Sequence, residues 1–235
     1  MLELRDMHAY YGRSHVVQGI SLQVGLGEGV GLVGHNGVGK TTTFKAVMGL
    51  GPAIRGRIAF EDRELHRSPV HARARHGIGF VPDEEAVFPT MSVEENIRAG
   101  ALLKDRRGQS ASLEIAYELF PVLAERRNQP AGTLSGGQQK MLALARGLSL
   151  QPRLILVDEP SEGLMPINVE LIARALQRAV KEGVGVLVVD ASYDLLKTVC
   201  SRLYVMKTGM ITGEHSISEF SSQDQLLATF MERAQ

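Results

Sequence analysis

The sequence has no tryptophan, a single cysteine and few aromatic residues of any kind, 5% of its 235 positions. One cysteine, Cys200, excludes both an internal disulfide framework and a cysteine-cluster zinc site. An excess of either charge is missing too, because 26 Lys and Arg offset 26 Asp and Glu for a formal net charge of +0. Polyelectrolyte binders of nucleic acid need a basic surplus, so no nucleic-acid partner is expected. No apolar run approaches the roughly 18 residues that would mark a membrane span. The first residues, Met1-Leu2-Glu3-Leu4-Arg5-Asp6, are charged at once and carry no apolar h-region, so no signal peptide is expected. What remains is a cytoplasmic globular chain that would reach a membrane only through a partner. At 44% hydrophobic and 22% charged, it is long enough to bury a full core.

Glycine is plentiful, with 25 residues, and it clusters at 25–39, 132–137 and 183–185. Around these clusters apolar strands and amphipathic helices alternate. Ile20, Leu22 and Val24 alternate with polar positions as a half-buried strand does. Val30 to Val33 is a short apolar run ending in glycine, and Leu154 to Val157 and Val184 to Val189 are apolar runs suited to strands buried on both faces. Arg57 to Phe60 and Ile78 to Val81 add two more. A helix is expected from Lys40 to about Met48, and another carries Leu171, Ile172, Ala175, Leu176, Ala179 and Val180 on one stripe before Gly183. This alternation predicts an α/β fold with a mainly parallel sheet. Residues 90–150 read instead as an inserted helical block. A capping box at Ser92-Val93-Glu94-Glu95 opens a helix toward Leu103, and a polar loop from Lys104 to Ser110 follows. A second helix carries Leu113, Ala116, Tyr117 and Phe120; a third starts near Gly136 and buries Met141, Leu142, Ala145 and Leu148. After Leu203 a hairpin with Lys207-Thr208-Gly209 at its tip precedes a terminal helix.

Gly34-His35-Asn36-Gly37-Val38-Gly39-Lys40-Thr41 fits G-x-x-x-x-G-K-[ST] in full, between an apolar strand and a helix. Gly37 and Gly39 let successive N–H groups of residues 36–42, Val38 and Thr42 included, turn inward onto phosphate. Lys40 supplies a point charge at the β- and γ-phosphates, the Thr41 hydroxyl a Mg²⁺ ligand, and the helix its positive end. Downstream, the strand Leu154 to Val157 ends in Asp158 and Glu159. In a parallel sheet ligands sit at the carboxyl ends of the strands, which is where these acids fall. Asp158 is placed to hold the ion through water, and Glu159 to orient or deprotonate the water that attacks the γ-phosphate.

Thr133-Leu134-Ser135-Gly136-Gly137-Gln138-Gln139 stands between the phosphate loop and the acidic strand. It resembles the LSGGQ signature of ABC-transporter ATPases, and the order of the three motifs matches that family from Met1 to about Gly213. The resemblance implies a nucleotide-binding domain over 1–235, with a phosphate-loop core, an antiparallel β-subdomain and a helical subdomain at about 90–150. It implies ATP and Mg²⁺ as cofactors. It also implies a dimer in which Leu134 to Gln138 of one chain close on the γ-phosphate held by the other. Tyr11, directly before Gly12, matches the family's adenine-stacking aromatic, with Tyr10 as the alternative.

Three positions depart from the family pattern. Asp83, after Phe80-Val81-Pro82, stands where most members carry a Gln that senses Mg²⁺ and the attacking water; it is read as a catalytic and metal-facing residue reaching the ion through water. Ala191 stands at the place of the switch His that contacts the γ-phosphate, with Ser192 as a possible substitute donor after a one-residue shift. Met165 replaces an Asp common elsewhere. The histidines show no close ligand pattern, so no metal beyond the nucleotide's is expected. The Tyr10-Tyr11-Gly12 start, Val87 to Ile97 and Glu159 to Pro166 resemble the ATPases of branched-chain amino-acid, amide or urea importers. On that resemblance the chain is an ATP-hydrolysing subunit on the inner face of the cell membrane, docked by residues 83–87 and the helical block onto permease subunits. A solute-binding protein would be an indirect partner. The dimer mate is a different ATPase subunit or a second copy. An ATP-binding switch without turnover is the alternative kept alive by Ala191; a DNA-associated ATPase is disfavoured, because the block is too short for a coiled-coil arm.

Overall fold

Strand β1 (Leu2–Tyr11) turns at Gly12 into β2 (Ser14–Val24), and the two pair antiparallel. Next, β3 (Gly29–Val33) is buried at every residue and runs into the loop that opens α1 (Lys40–Met48). The chain then returns to the first sheet as β4 (Ala53–Phe60) and the short β5 (Arg63–Glu64), followed by α2 (Val70–Arg75) and β6 (Ile78–Val81). Four helices follow: α3 (Val93–Gly100), α4 (Arg106–Leu119), α5 (Pro121–Glu125) and α6 (Gly136–Ser149). The strands β7 (Leu154–Asp158) and β8 (Gly185–Val189) bracket α7 (Pro166–Lys181). The chain closes with α8 (Tyr193–Val199), the hairpin β9 (Arg202–Lys207) and β10 (Met210–Ser216), and α9 (Gln223–Met231). The computed structural model describes residues 1–84, 86–102 and 104–231.

Among the described residues there are two sheets. One is four-stranded and antiparallel, in the order β2-β1-β4-β5; the other is six-stranded, β10-β9-β3-β8-β7-β6, and parallel except for the β9–β10 hairpin. The α/β class, the mainly parallel sheet and the separate antiparallel sheet are as the sequence predicts. Two cores follow from this layering. Leu2, Leu4, Met7, Ile20, Leu22 and Phe44 bury α1 between the antiparallel sheet and one face of the parallel sheet. On the other face Ile155, Val157, Val186 and Val188 meet Leu142, Ile172, Leu176 and Leu196 from α6, α7 and α8.

The helical stretch differs in detail from expectation. Asp105 N-caps α4 through its side chain at Gly108 N–H, 2.8 Å away, so the polar residues read as a loop to Ser110 already form its first turn. Phe120 lies beyond α4 at the junction with α5, 1% exposed, and not on the helical stripe. The first helix ends at Gly100, and Leu103, toward which it was expected to run, lies outside the described residues. Its capping box at Ser92 and Glu95 is present. Fully buried Asn96 bonds the carbonyls of Phe88, Met91 and Ser92 and the N–H of Phe88, fastening the segment after Asp83 to α3.

Candidate functional site at the carboxyl ends of the parallel strands

The strand β3 delivers the phosphate loop by close packing. A Cβ at Gly34 would lie 2.2 Å from the Met206 carbonyl oxygen, so the turn out of β3 tolerates only glycine. Gly39 stands at φ 111° as the N-cap of α1 and leaves the helix's first amides facing outward. The Lys40 side chain, 7% exposed, reaches back over the loop, its ammonium 2.8 Å from the Gly34 carbonyl and 3.0 Å from that of His35. It also lies 3.8 Å from the Glu159 carboxylate. Asn36, Gly37, Gly39, Lys40, Thr41 and Thr42 line a cavity of ≈ 250 Å³ together with Asp83 and Glu159. A smaller cavity of ≈ 170 Å³ adjoins it, walled by Gly34, Lys40, Glu159, Asp190, Ala191 and Ser192 among others.

Asp158 ends β7 beside the Thr41 hydroxyl. It is 2% exposed, and neither carboxylate oxygen has a hydrogen bond of sound geometry. Burial raises its pKa against the pull of Thr41 and Lys40. A buried carboxylate with both oxygens uncommitted, next to a hydroxyl, is an oxygen donor set suited to a hard divalent cation. Glu159 has the left-handed φ of 45°, and its carboxyl is pushed up to about 7 by burial and by the hydrogen bond with Glu162, despite Lys40. Asp83, Glu159 and Glu162 bring carboxylate oxygens within 4.8 Å of one another.

The remaining predicted residues fall at three separate places. Tyr11 is 42% exposed, whereas Tyr10 is stacked on His15 at 4.3 Å with Arg55 above it. Leu134, Ser135, Gly136, Gly137 and Gln138 lie at the start of α6, where Ser135 and Gln138 form a reciprocal capping box, and none of them lines either cavity. The methyl of Ala191 offers the smaller cavity no hydrogen bond. Ser192 lines that cavity while its hydroxyl caps α8 at Leu195 N–H, 3.4 Å away.

Several residues of the site carry no motif. Asp190 bonds Ser161 through its N–H and hydroxyl, at 2.9 and 2.6 Å, and accepts from Ser192 N–H at 2.8 Å. Gln223 of α9 brackets the segment from behind, donating to the Ala191 carbonyl and accepting from Tyr193 N–H. The Lys140 ammonium reaches Asp83 and the Glu159 carbonyl. Apart from the bond between Asp190 and Ser192, these contacts join residues at least 19 positions apart, and no local spacing announces them.

A glycine-lined phosphate loop and two acids at the end of an adjacent parallel strand define a nucleoside-triphosphate-binding ATPase. The chain belongs to the ABC transporter family, whose model matches residues 17–162. It is 37% identical over 211 residues to the high-affinity branched-chain amino acid transport ATP-binding protein BraG of Pseudomonas aeruginosa, covering 90% of this chain and 91% of that one. It is 36% identical over 225 residues to the lipopolysaccharide export system ATP-binding protein LptB of Escherichia coli, covering 95% and 93%. Among solved structures it superimposes on an ATP-binding subunit of an ABC transporter with a TM-score of 0.86 at 22% identity, over 99% of this chain and 100% of the other. A dimeric bacterial ABC transporter cassette gives 0.82 at 24% identity, over 92% and 99%. No helix among the described residues is long and apolar enough to cross a membrane.

Proposed function

We propose that this chain hydrolyses ATP as one member of a two-chain ATPase that drives an importer for branched-chain amino acids or related small amides. In this reading the phosphates lie on the N–H groups of residues 36–42, with Lys40 at the β- and γ-oxygens and the adenine against Tyr11. Thr41 would hold Mg²⁺ through its hydroxyl, and Asp158 and Asp83 through water; the ion, when bound, would neutralise charge on the phosphate oxygens. Glu159 orients the attacking water and takes its proton. The observation that carries the reading is the cavity itself, lined by the glycine loop together with Lys40 and Glu159, whose charged groups are paired at 3.8 Å. The importer assignment rests on the similarity to the amino-acid transport ATPase. The near-equal identity to a lipopolysaccharide-export ATPase favours export as a second reading.

The chain would sit on the inner face of the cell membrane, bound to permease subunits through the helical stretch and the segment following Asp83. Calorimetry of Lys40→Ala should show a large loss of ATP·Mg²⁺ affinity, and undiminished binding would remove the phosphate-loop assignment. Uptake of labelled leucine and of labelled urea by vesicles holding the reconstituted complex distinguishes the importer reading from the export one.

A further inference from the structure

A residue with a side chain occupies the left-handed region at Glu159 only when its surroundings hold it there. Three hydrogen bonds do so, one of them a local turn bond from Glu162 N–H to the Glu159 carbonyl at 3.3 Å. The Glu159 N–H donates to the Val189 carbonyl at 2.8 Å, a bond from the neighbouring strand of the same sheet. Its carbonyl accepts from Lys140 Nζ at 2.6 Å, and this bond comes from elsewhere, from the second turn of α6 just behind the signature. The same ammonium is 3.1 Å from Asp83 Oδ1, and its side chain is 20% exposed. One cation thus touches both acidic walls of the phosphate cavity.

We propose that Lys140 is a positioning residue for ATP hydrolysis, fixing the Glu159 peptide and the Asp83 carboxylate from the signature helix. The inference rests on the reading that Glu159 serves the attacking water. Without the ammonium, the Glu159 carbonyl keeps only the longer bond from Glu162 N–H at 3.3 Å, and the residue, steered from the right-handed region by Pro160, is freer to relax toward an extended conformation. That rotation carries the carboxylate off the cavity wall. The cation also offsets crowding among Asp83, Glu159 and Glu162, which otherwise repel one another at close range. Because Lys140 belongs to α6, the placement of Glu159 in one chain's site depends on the position of the helix whose start that same chain presents to its partner's nucleotide. A displacement of α6 is therefore felt at both sites of a dimer.

The test is single-turnover ATP hydrolysis by the full chain, with ATP affinity measured separately by calorimetry. Lys140→Met should lower the rate at saturating ATP roughly ten- to a hundredfold while the dissociation constant moves by less than about threefold. Lys140→Arg should recover most of the rate, and Lys140→Gln, which keeps a donor without the charge, covers the case in which Met fails to fold. In a Glu159→Gln background Lys140→Met should change the residual rate little, because the side chain that it positions is gone. An unchanged rate in Lys140→Met, a loss matched by equal loss of affinity, or the same fractional loss in both backgrounds would overturn the proposal. The two readings fail separately. Full turnover in Glu159→Gln removes the role of Glu159 itself, whereas loss in Glu159→Gln with full turnover in Lys140→Met removes only that of Lys140.

Discussion

Glu159 combines a left-handed backbone with a carboxyl whose pKa stands at about 7 instead of 4.5, raised by burial and by Glu162. Between those two values the folded chain holds a proton that the unfolded chain has lost, so this group's contribution to stability falls as pH rises through the window. Glu159→Gln removes the titration. Measured without nucleotide and in the presence of a chelator, its thermal midpoint should gain on the parent from about pH 4.5 to about pH 7 and hold level beyond; each kcal/mol corresponds to roughly 2–4 °C for a chain of this size. A difference independent of pH would show that burial does not strain the ionised form. Residues of this kind divide sharply in legibility. Lys40, Asp158 and Glu159 stand in local motifs whose spacing alone places them, and Ala191 is legible as a departure from such a motif. Lys140 and Gln223 are not, because each acts through a partner brought to it only by the tertiary fold.

Helix α1 shows how an element that begins in the site is secured at its far end. Its last turn exposes the carbonyls of Ala46 and Val47, and both accept from Arg73 Nη1 at 2.9 and 2.6 Å. The same guanidinium bonds the carbonyls of Leu65 and Ser68 and is 2% exposed. A buried cation at a helix C-terminus satisfies carbonyls there and complements the dipole whose positive end opens at the phosphate loop. Arg73→Leu should therefore cost about 3 kcal/mol or more in urea unfolding, since the Val47 and Ser68 carbonyls lose their donor and those of Ala46 and Leu65 keep only a backbone N–H. A cost under about 1 kcal/mol would mean that water replaces the guanidinium. Among the elements, β3, β7 and β8 were legible as apolar runs and α7 as a stripe. By contrast, β1 escaped notice: Asp6 follows Arg5 and breaks the alternation begun at Leu2 and Leu4, and a register shift between Arg5 and His8 accommodates Asp6 at φ 46°. The start of α4 was hidden for a related reason, because a solvated first turn has the same composition as a loop.

For the whole molecule, the site and the signature lie apart, so neither completes the other within one chain. If Ala191 leaves this chain's own site short of a γ-phosphate donor, the chain alone should bind ATP and hydrolyse it slowly, and Ala191→His should raise the rate. Its complete Leu134–Gln138 segment would still close the site of a different ATPase subunit. Ser135→Arg should then stop turnover by the mixed pair, because it sets bulk and charge where the partner's γ-phosphate approaches. Hydrolysis by the isolated chain as fast as by the complex would rule out this asymmetry. The architecture also has a temporal side. The strand that carries the phosphate loop is synthesised early, yet its two neighbours in the sheet, β8 and β9, begin only at Gly185 and Arg202. Loop closure over such separations is slow, and the apolar Gly29–Val33 segment has no sheet partner until most of the chain exists. The nucleotide pocket is thus a late product of folding, and ATP, by binding only the finished loop, favours the completed sheet over every earlier intermediate.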